Sequence, residues 1–141
     1  MENMKVFIEK GLDKLPQCKI IREEVFIKEQ KFENEFDDID EIAYHELILV
    51  GDKPVATARI FEEKGSYHLG RVCVLKEYRG KNLGKALLYN LESYAKMIGA
   101  KEIYLSAQTR AKDFYIKCGY EEYGEEFLDE YCPHINMKKT L

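Results

Sequence analysis

Val72-Cys73-Val74-Leu75, and shortly after it Arg79-Gly80-Lys81-Asn82-Leu83-Gly84-Lys85, is the stretch on which the fold turns. It reads as a strand, a tight loop and the N-terminus of an amphipathic helix. Residues that accept positive φ let successive backbone N–H groups converge on an anion, and the helix dipole favours negative charge there. Arg79, Lys81 and Lys85 add side-chain charge at the same place. The segment predicts a ligand that carries a pyrophosphate.

Downstream, Leu83, Leu87, Leu88, Leu91, Ala95 and Ile98 make one apolar helix face, and Gly99 is placed to end that helix. Glu102 to Ala107 reads as a strand reached through a helix, and so parallel to the strand before the loop. A short helix from Arg110 to Lys117 stops at Gly119; Tyr120–Tyr123 and His134–Lys138 read as closing strands, with Gly124 to Pro133 connecting them.

Upstream, Met4 to Glu9 reads as a first strand, and a helix is expected from Gln17 to Gln30. Ile20, Ile21, Val25 and Phe26 form its apolar face, with Arg22, Glu23, Glu24 and Lys28 on the other. The acidic stretch Glu33 to Glu41 reads as a solvated loop with at most a helical turn. His45–Val50, Val55–Phe61 and Tyr67–Leu75 follow as a three-strand antiparallel meander. The fold class is α+β: a mixed, mostly antiparallel sheet of about six or seven strands with about four helices.

The 141 residues suit a single domain spanning 1–141, and an apolar content of 45% supports a packed core. A net charge of −4 argues against nucleic acid as the main partner, which needs a broad basic face. Cys18, Cys73, Cys118 and Cys132 are far apart and lack zinc-ligand spacing, so no metal site is expected. The N-terminal residues carry no export signal, and no apolar run approaches the ~20 residues of a membrane span. The expected setting is cytoplasmic, with reduced thiols and no membrane partner.

The chain resembles the GNAT superfamily of acyl-CoA-dependent N-acyltransferases. The family's acyl-CoA motif, Gln/Arg-x-x-Gly-x-Gly/Ala, is matched by Arg79, Asn82 and Gly84, with Asn82 standing where glycine is usual. Asparagine is the next most tolerant residue of left-handed geometry, so the loop is expected to form. A second block, Gln108, Ala111, Phe114-Tyr115 and Gly119-Tyr120, follows at the family's spacing, with Gln108 in place of asparagine. The runs Arg22–Gln30, Asp37-Asp38-Ile39-Asp40, Ala56-Thr57-Ala58-Arg59, Gly70-Arg71-Val72 and Pro133–Met137 are similar to the small bacterial ElaA/YjcF-like branch.

That resemblance implies transfer of an acetyl group from acetyl-CoA to a primary amine of a small acceptor, by direct attack. It implies that Arg79, Gly80, Lys81, Asn82, Leu83, Gly84 and Lys85 hold the pyrophosphate, and that the backbone of Val72, Cys73 and Val74 aligns pantetheine and thioester. Gln108 joins this set, and Tyr115 is the donor to the departing thiolate; a phenol is protonated at pH 7. The Cys73 side chain reads as packing. For the base, Glu29, the acidic stretch 33–41, His45, His134 and water stay open, as does a homodimer. Arg59 and Arg71 suit either an acceptor's carboxylate or phosphate or ion pairs across the sheet. A non-catalytic acyl-CoA sensor is the alternative. A P-loop protein is set aside, since Ala86 follows Lys85 where a hydroxyl is needed.

Overall fold

The computed structural model describes residues 3–33 and 35–141; Met1, Glu2 and Asn34, the last within the acidic stretch, lie outside the described residues. Strands β1 (Met4–Lys10), β2 (Tyr44–Val50), β3 (Lys53–Glu63), β4 (Ser66–Val74), β5 (Glu102–Gln108), β6 (Glu121–Asp129) and β7 (Cys132–Thr140) form one sheet in the order β1-β2-β3-β4-β5-β7-β6. Every neighbouring pair is antiparallel except β4 and β5. That one parallel pair is the one joined through a helix, α3 (Leu83–Met97), as a parallel connection requires.

Alternation along the strands divides the core between two faces. On one, Leu83, Leu87, Leu88, Leu91 and Ala95 of α3 pack against Ile48, Ala56, Ala58, Ile103 and Met137. On the other, Cys18, Ile21, Val25 and Phe26 pack against Leu47, Cys73 and Cys132. Consecutive residues such as Leu47 and Ile48 therefore serve opposite faces, as a period of two demands.

The helix expected over Gln17–Gln30 is two pieces: α1 (Pro16–Arg22) runs on as a π-helical segment, Glu23–Glu29. The wider turn shifts the faces. Ile20, expected on the apolar side, is 65% exposed, whereas Arg22, expected in solvent, is 1% exposed. Arg22 Nε donates to Glu35 Oε2 and its Nη1 to Asp40 Oδ1, both at 2.8 Å. The acidic stretch is correspondingly not a solvated loop: Glu35 and Asp40 are buried, and a short helix, α2 (Ile39–Ile42), closes it. Arg59 reaches Asp37 and Asp40 from β3 at 2.7 and 2.8 Å, and Arg71 reaches Glu35 from β4 at 3.2 Å.

The closing strands are longer than expected. Gly124 to Pro133 is not a connection: β6 runs to Asp129, turns at Glu130-Tyr131, and returns as β7 from Cys132. Acidic and exposed positions along β6 give no alternation from which a strand could be read.

Candidate active site at the splayed strands

β4 and β5 pair only at Tyr67–Ile103 and His68–Tyr104. Beyond that point they part, and β5 turns its other edge to β7 through Leu105–Met137 and Gln108–His134. A bulge in β4 helps to part them. Between Thr57–Cys73 and Arg59–Gly70 the register shifts, and Arg71 sits in the left-handed region at φ 52°. The extra residue switches the alternation, so Leu69 faces α3 whereas Cys73 faces α1.

The parted edge of β4 leaves backbone groups open. The Leu75 N–H donates to the Val55 carbonyl at 2.8 Å, so by strand alternation Val74 points its N–H and carbonyl away from β3, into the gap. Arg79 Nε donates to that carbonyl at 3.0 Å. The Cys73 side chain, by contrast, is buried among the α1 residues, and burial pushes its thiol up.

A cleft of about 490 Å³ opens beside this edge, lined by Val74, Gly80, Asn82, Leu83, Gly84, Lys85 and Phe114 among others. Its rim is the loop quoted at the outset. Gly80 (φ 78°) and Asn82 (φ 65°, ψ 17°) both take the left-handed conformation. The first bond into α3 is Ala86 N–H to the Asn82 carbonyl at 3.1 Å, and the Asn82 side chain caps nothing. The N–H groups of Leu83, Gly84 and Lys85 are therefore open at the positive end of a fifteen-residue helix dipole. Packing at Gly84 is tight: a Cβ there would stand 3.2 Å from Phe114 Cζ of α4 (Lys112–Lys117), so that ring would have to give by a few tenths of an ångström. Lys81 lies over the Tyr78 ring, 5.3 Å from its centroid. The Arg79 guanidinium does not stand free: Glu29 grips it with both oxygens at 2.7 Å. That grip holds the Glu29 carboxyl below the usual carboxylate range.

A second cavity, about 230 Å³, fills the splay itself. Tyr115 from α4 lines it, edge-on to Phe114 and Tyr120 at centroid distances of 5.1 and 5.9 Å. Among the described residues its hydroxyl has no hydrogen-bond partner, and burial pushes the phenol up, so it stays protonated. Gln108 Nε2 donates to Gln30 Oε1 at 2.8 Å, and Arg110 Nε donates to Gln108 Oε1 at 2.7 Å. The β6–β7 tip roofs the cavity: the Tyr131 hydroxyl donates to the Gln30 carbonyl, and its ring stacks on Phe32 at 5.4 Å.

The base candidates separate by position. His134 and Glu35 line the cavity; His45 and Glu29 do not. His45 is buried under the acidic segment with Nε2 2.9 Å from the Asp40 carbonyl, and burial lowers its pKa. Glu35, Asp37 and Asp40 are committed to Arg22, Arg59 and Arg71. Those arginines are thus occupied by ion pairs within the chain. Gln30, Phe32, Arg110, Asp129 and Glu130 also line the cavity. Of these, Gln30 carried a signal as the end of the run Arg22–Gln30 and Arg110 by its place between Gln108 and Ala111; Asp129 and Glu130 lay in a segment read as a connection.

Comparison with known proteins agrees with this geometry. The profile of the acetyltransferase (GNAT) domain matches residues 12–141. YjcF of Bacillus subtilis, described as an uncharacterized N-acetyltransferase, is 40% identical over 139 residues, covering 96% of this chain and 99% of its own. The crystal structure of Escherichia coli ElaA superposes with a TM-score of 0.83 at 28% identity, over 99% of each chain. An acyl-CoA N-acyltransferase from Pseudomonas aeruginosa shares the fold with a TM-score of 0.87 at 23% identity, over 98% of this chain and 100% of its own. The splayed β4–β5 pair, the loop at the head of α3 and these matches agree: the chain belongs to the GNAT family of acyl-CoA-dependent acetyltransferases.

Proposed function

We propose that this chain transfers the acetyl group of acetyl-CoA to the primary amine of a small acceptor, without a covalent enzyme intermediate. The observation that carries this reading is the meeting of two spaces at the β4–β5 gap. One ends in the open N–H groups of Leu83, Gly84 and Lys85, suited to a pyrophosphate. The other holds Tyr115 and His134 in a volume below the ~300–1,000 Å³ typical of pockets for drug-sized ligands, which suits a small acceptor.

Pantetheine lies along the open edge of β4, with Val72 and Val74 presenting backbone to it, whereas Cys73, expected in this set, turns its N–H and carbonyl toward β3. The pantetheine amide then competes with Arg79 for the Val74 carbonyl. The thioester reaches the gap, and the Val74 N–H is the donor on that edge for oxygen charge developing at the carbonyl.

An amine arrives as ammonium and must lose a proton before it attacks. His134 is the base in this reading. Its Nδ1 lies 2.9 Å from the Cys132 carbonyl, which can only accept, so Nδ1 carries the hydrogen and Nε2 keeps the lone pair. The freed amine attacks the carbonyl carbon, a C–N bond forms, and the tetrahedral oxyanion collapses with loss of the C–S bond. Tyr115 gives its proton to the departing thiolate, and the second proton that the nitrogen sheds on becoming an amide returns to the phenolate through solvent.

The test is release of CoA thiol from acetyl-CoA across an amine panel, for the wild type, Tyr115→Phe and His134→Gln. Each variant is expected to lose about 10²–10⁴-fold in kcat while still binding acetyl-CoA. Full activity in Tyr115→Phe removes that residue from the mechanism, and binding without turnover of any amine points to a sensor.

A further inference from the structure

The cavity in the splay is lined by an arginine that makes no ion pair among the described residues; Glu29 is felt only as a more distant charge. Arg71 on its wall is spent on Glu35 and Asp37, at 3.2 and 3.4 Å. Arg110 is different. It makes no ion pair among the described residues, and its bond through Nε to Gln108 leaves both terminal nitrogens available. Its side chain is exposed at the edge of the cavity, where one side-chain bond tethers it. Gln108 is itself fixed by Gln30, so a chain of amides from the end of the π-helical segment holds the guanidinium at the cavity.

The remaining charge has the opposite sign. Asp129, on the far strand of the β6–β7 hairpin, lines the same cavity and makes no ion pair among the described residues. The Glu130 carboxylate stands beside it and accepts from the Glu33 N–H at 3.0 Å. The cavity thus offers one open cation and a carboxylate pole. An ammonium suits the Asp129 side, and a single negative charge suits Arg110. Arg110 alone can balance one negative charge and Asp129 adds another of the same sign as the anion, so the matching anion is a carboxylate rather than a dianionic phosphate.

Resting on the acetyl-transfer reading above, we propose that the acceptor is a small amino acid or related aminocarboxylate, its carboxylate bound by Arg110 and its ammonium drawn in by Asp129. Arg110 is then the residue that sets acceptor specificity, and Gln108 and Gln30 position it. Phe32 on the cavity wall, with Tyr131 stacked on it, limits the acceptor's bulk on that side.

The experiment measures thiol release from acetyl-CoA with the common amino acids and with the matched amines that lack the carboxylate. Acetyl-CoA binding is measured in parallel by calorimetry. At least one amino acid is expected to exceed its decarboxylated partner by about 10- to 100-fold in kcat/KM, the range of a charged hydrogen bond. Arg110→Gln should erase that preference by raising the acceptor KM, while the KM for acetyl-CoA moves less than about twofold. Asp129→Asn should raise the KM for amino acids and plain amines alike. Decarboxylated amines used as well as amino acids, an unchanged preference in Arg110→Gln, or no amino acid used by enzyme that binds acetyl-CoA would each overturn the proposal. Failure to bind acetyl-CoA at all would instead overturn the reading beneath it.

Discussion

Glu29 and Arg79 lie fifty positions apart in sequence and form a two-pronged ion pair, with both N–O distances at 2.7 Å. The pair joins the end of the π-helical segment to the loop that heads α3. It also sets the charge that loop presents, because the guanidinium nearest the Gly80 turn is already matched by a carboxylate.

Glu29 therefore competes with the donor's phosphates for Arg79. Replacing it by glutamine should tighten CoA binding about two- to tenfold by calorimetry at low salt, an advantage that shrinks as salt rises. Both groups are about two-fifths exposed, so the stability cost should stay within ~1 kcal/mol. Weaker CoA binding in Glu29→Gln would mean that the pair serves to position Arg79 rather than to occupy it.

Asn82 holds the left-handed corner of the same loop without any side-chain cap bond. Only its tolerance of that conformation is in use. Asn82→Gly should be close to neutral, whereas Asn82→Ala should cost ~1 kcal/mol, a fall of about 3 °C in Tm. Equal melting of the two variants would contradict a backbone role.

Arg22 bridges Glu35 and Asp40 in the interior, and its removal leaves both carboxylates buried without that partner. Arg22→Met should destabilise by about 3–5 kcal/mol, read from urea unfolding. The arginines hold Asp37 and Asp40 below the usual carboxylate range. Their contribution to stability is present above the ordinary aspartate pKa and is lost as pH falls through the depressed values. A mild effect of Arg22→Met would mean that the acidic segment is anchored by packing alone.

Glu46 on β2 runs the other way. Its Oε2 accepts from Asn90 at 2.7 Å, Oε1 is buried without a partner among the described residues, and burial raises the carboxyl to about 8. The folded form keeps a proton that the unfolded chain loses near the ordinary value of 4.5. Stability should thus fall as pH rises from about 4.5 to about 8, at up to ~1.4 kcal/mol per pH unit, and level off above. Glu46→Gln should flatten this slope, and an unchanged slope would assign it to other groups.

These residues also show what the sequence could and could not reveal. The strand, loop and helix around Val72–Lys85 were legible because glycine, asparagine and a regular leucine spacing act locally. The left-handed Asn82 and the parallel β4–β5 pair follow from such local rules. Arg22 was not legible: its burial depends on the π-helical turn after it and on Glu35 and Asp40, which arrive from another segment. Asp129 was hidden for a related reason. A strand exposed along its whole length has no alternation, and only pairing with β7 brings it to the cavity.

The central claim is that the space between β4 and the head of α3 is an acetyl-CoA site, and calorimetric titration with acetyl-CoA, CoA and ATP tests it most directly. The account predicts saturable binding of acetyl-CoA and CoA at one site per chain, weakened about tenfold or more in Gly84→Val. The added branches there would press on Phe114 and fill the cleft. Binding of ATP without acetyl-CoA, or acetyl-CoA affinity unchanged in Gly84→Val, would contradict it.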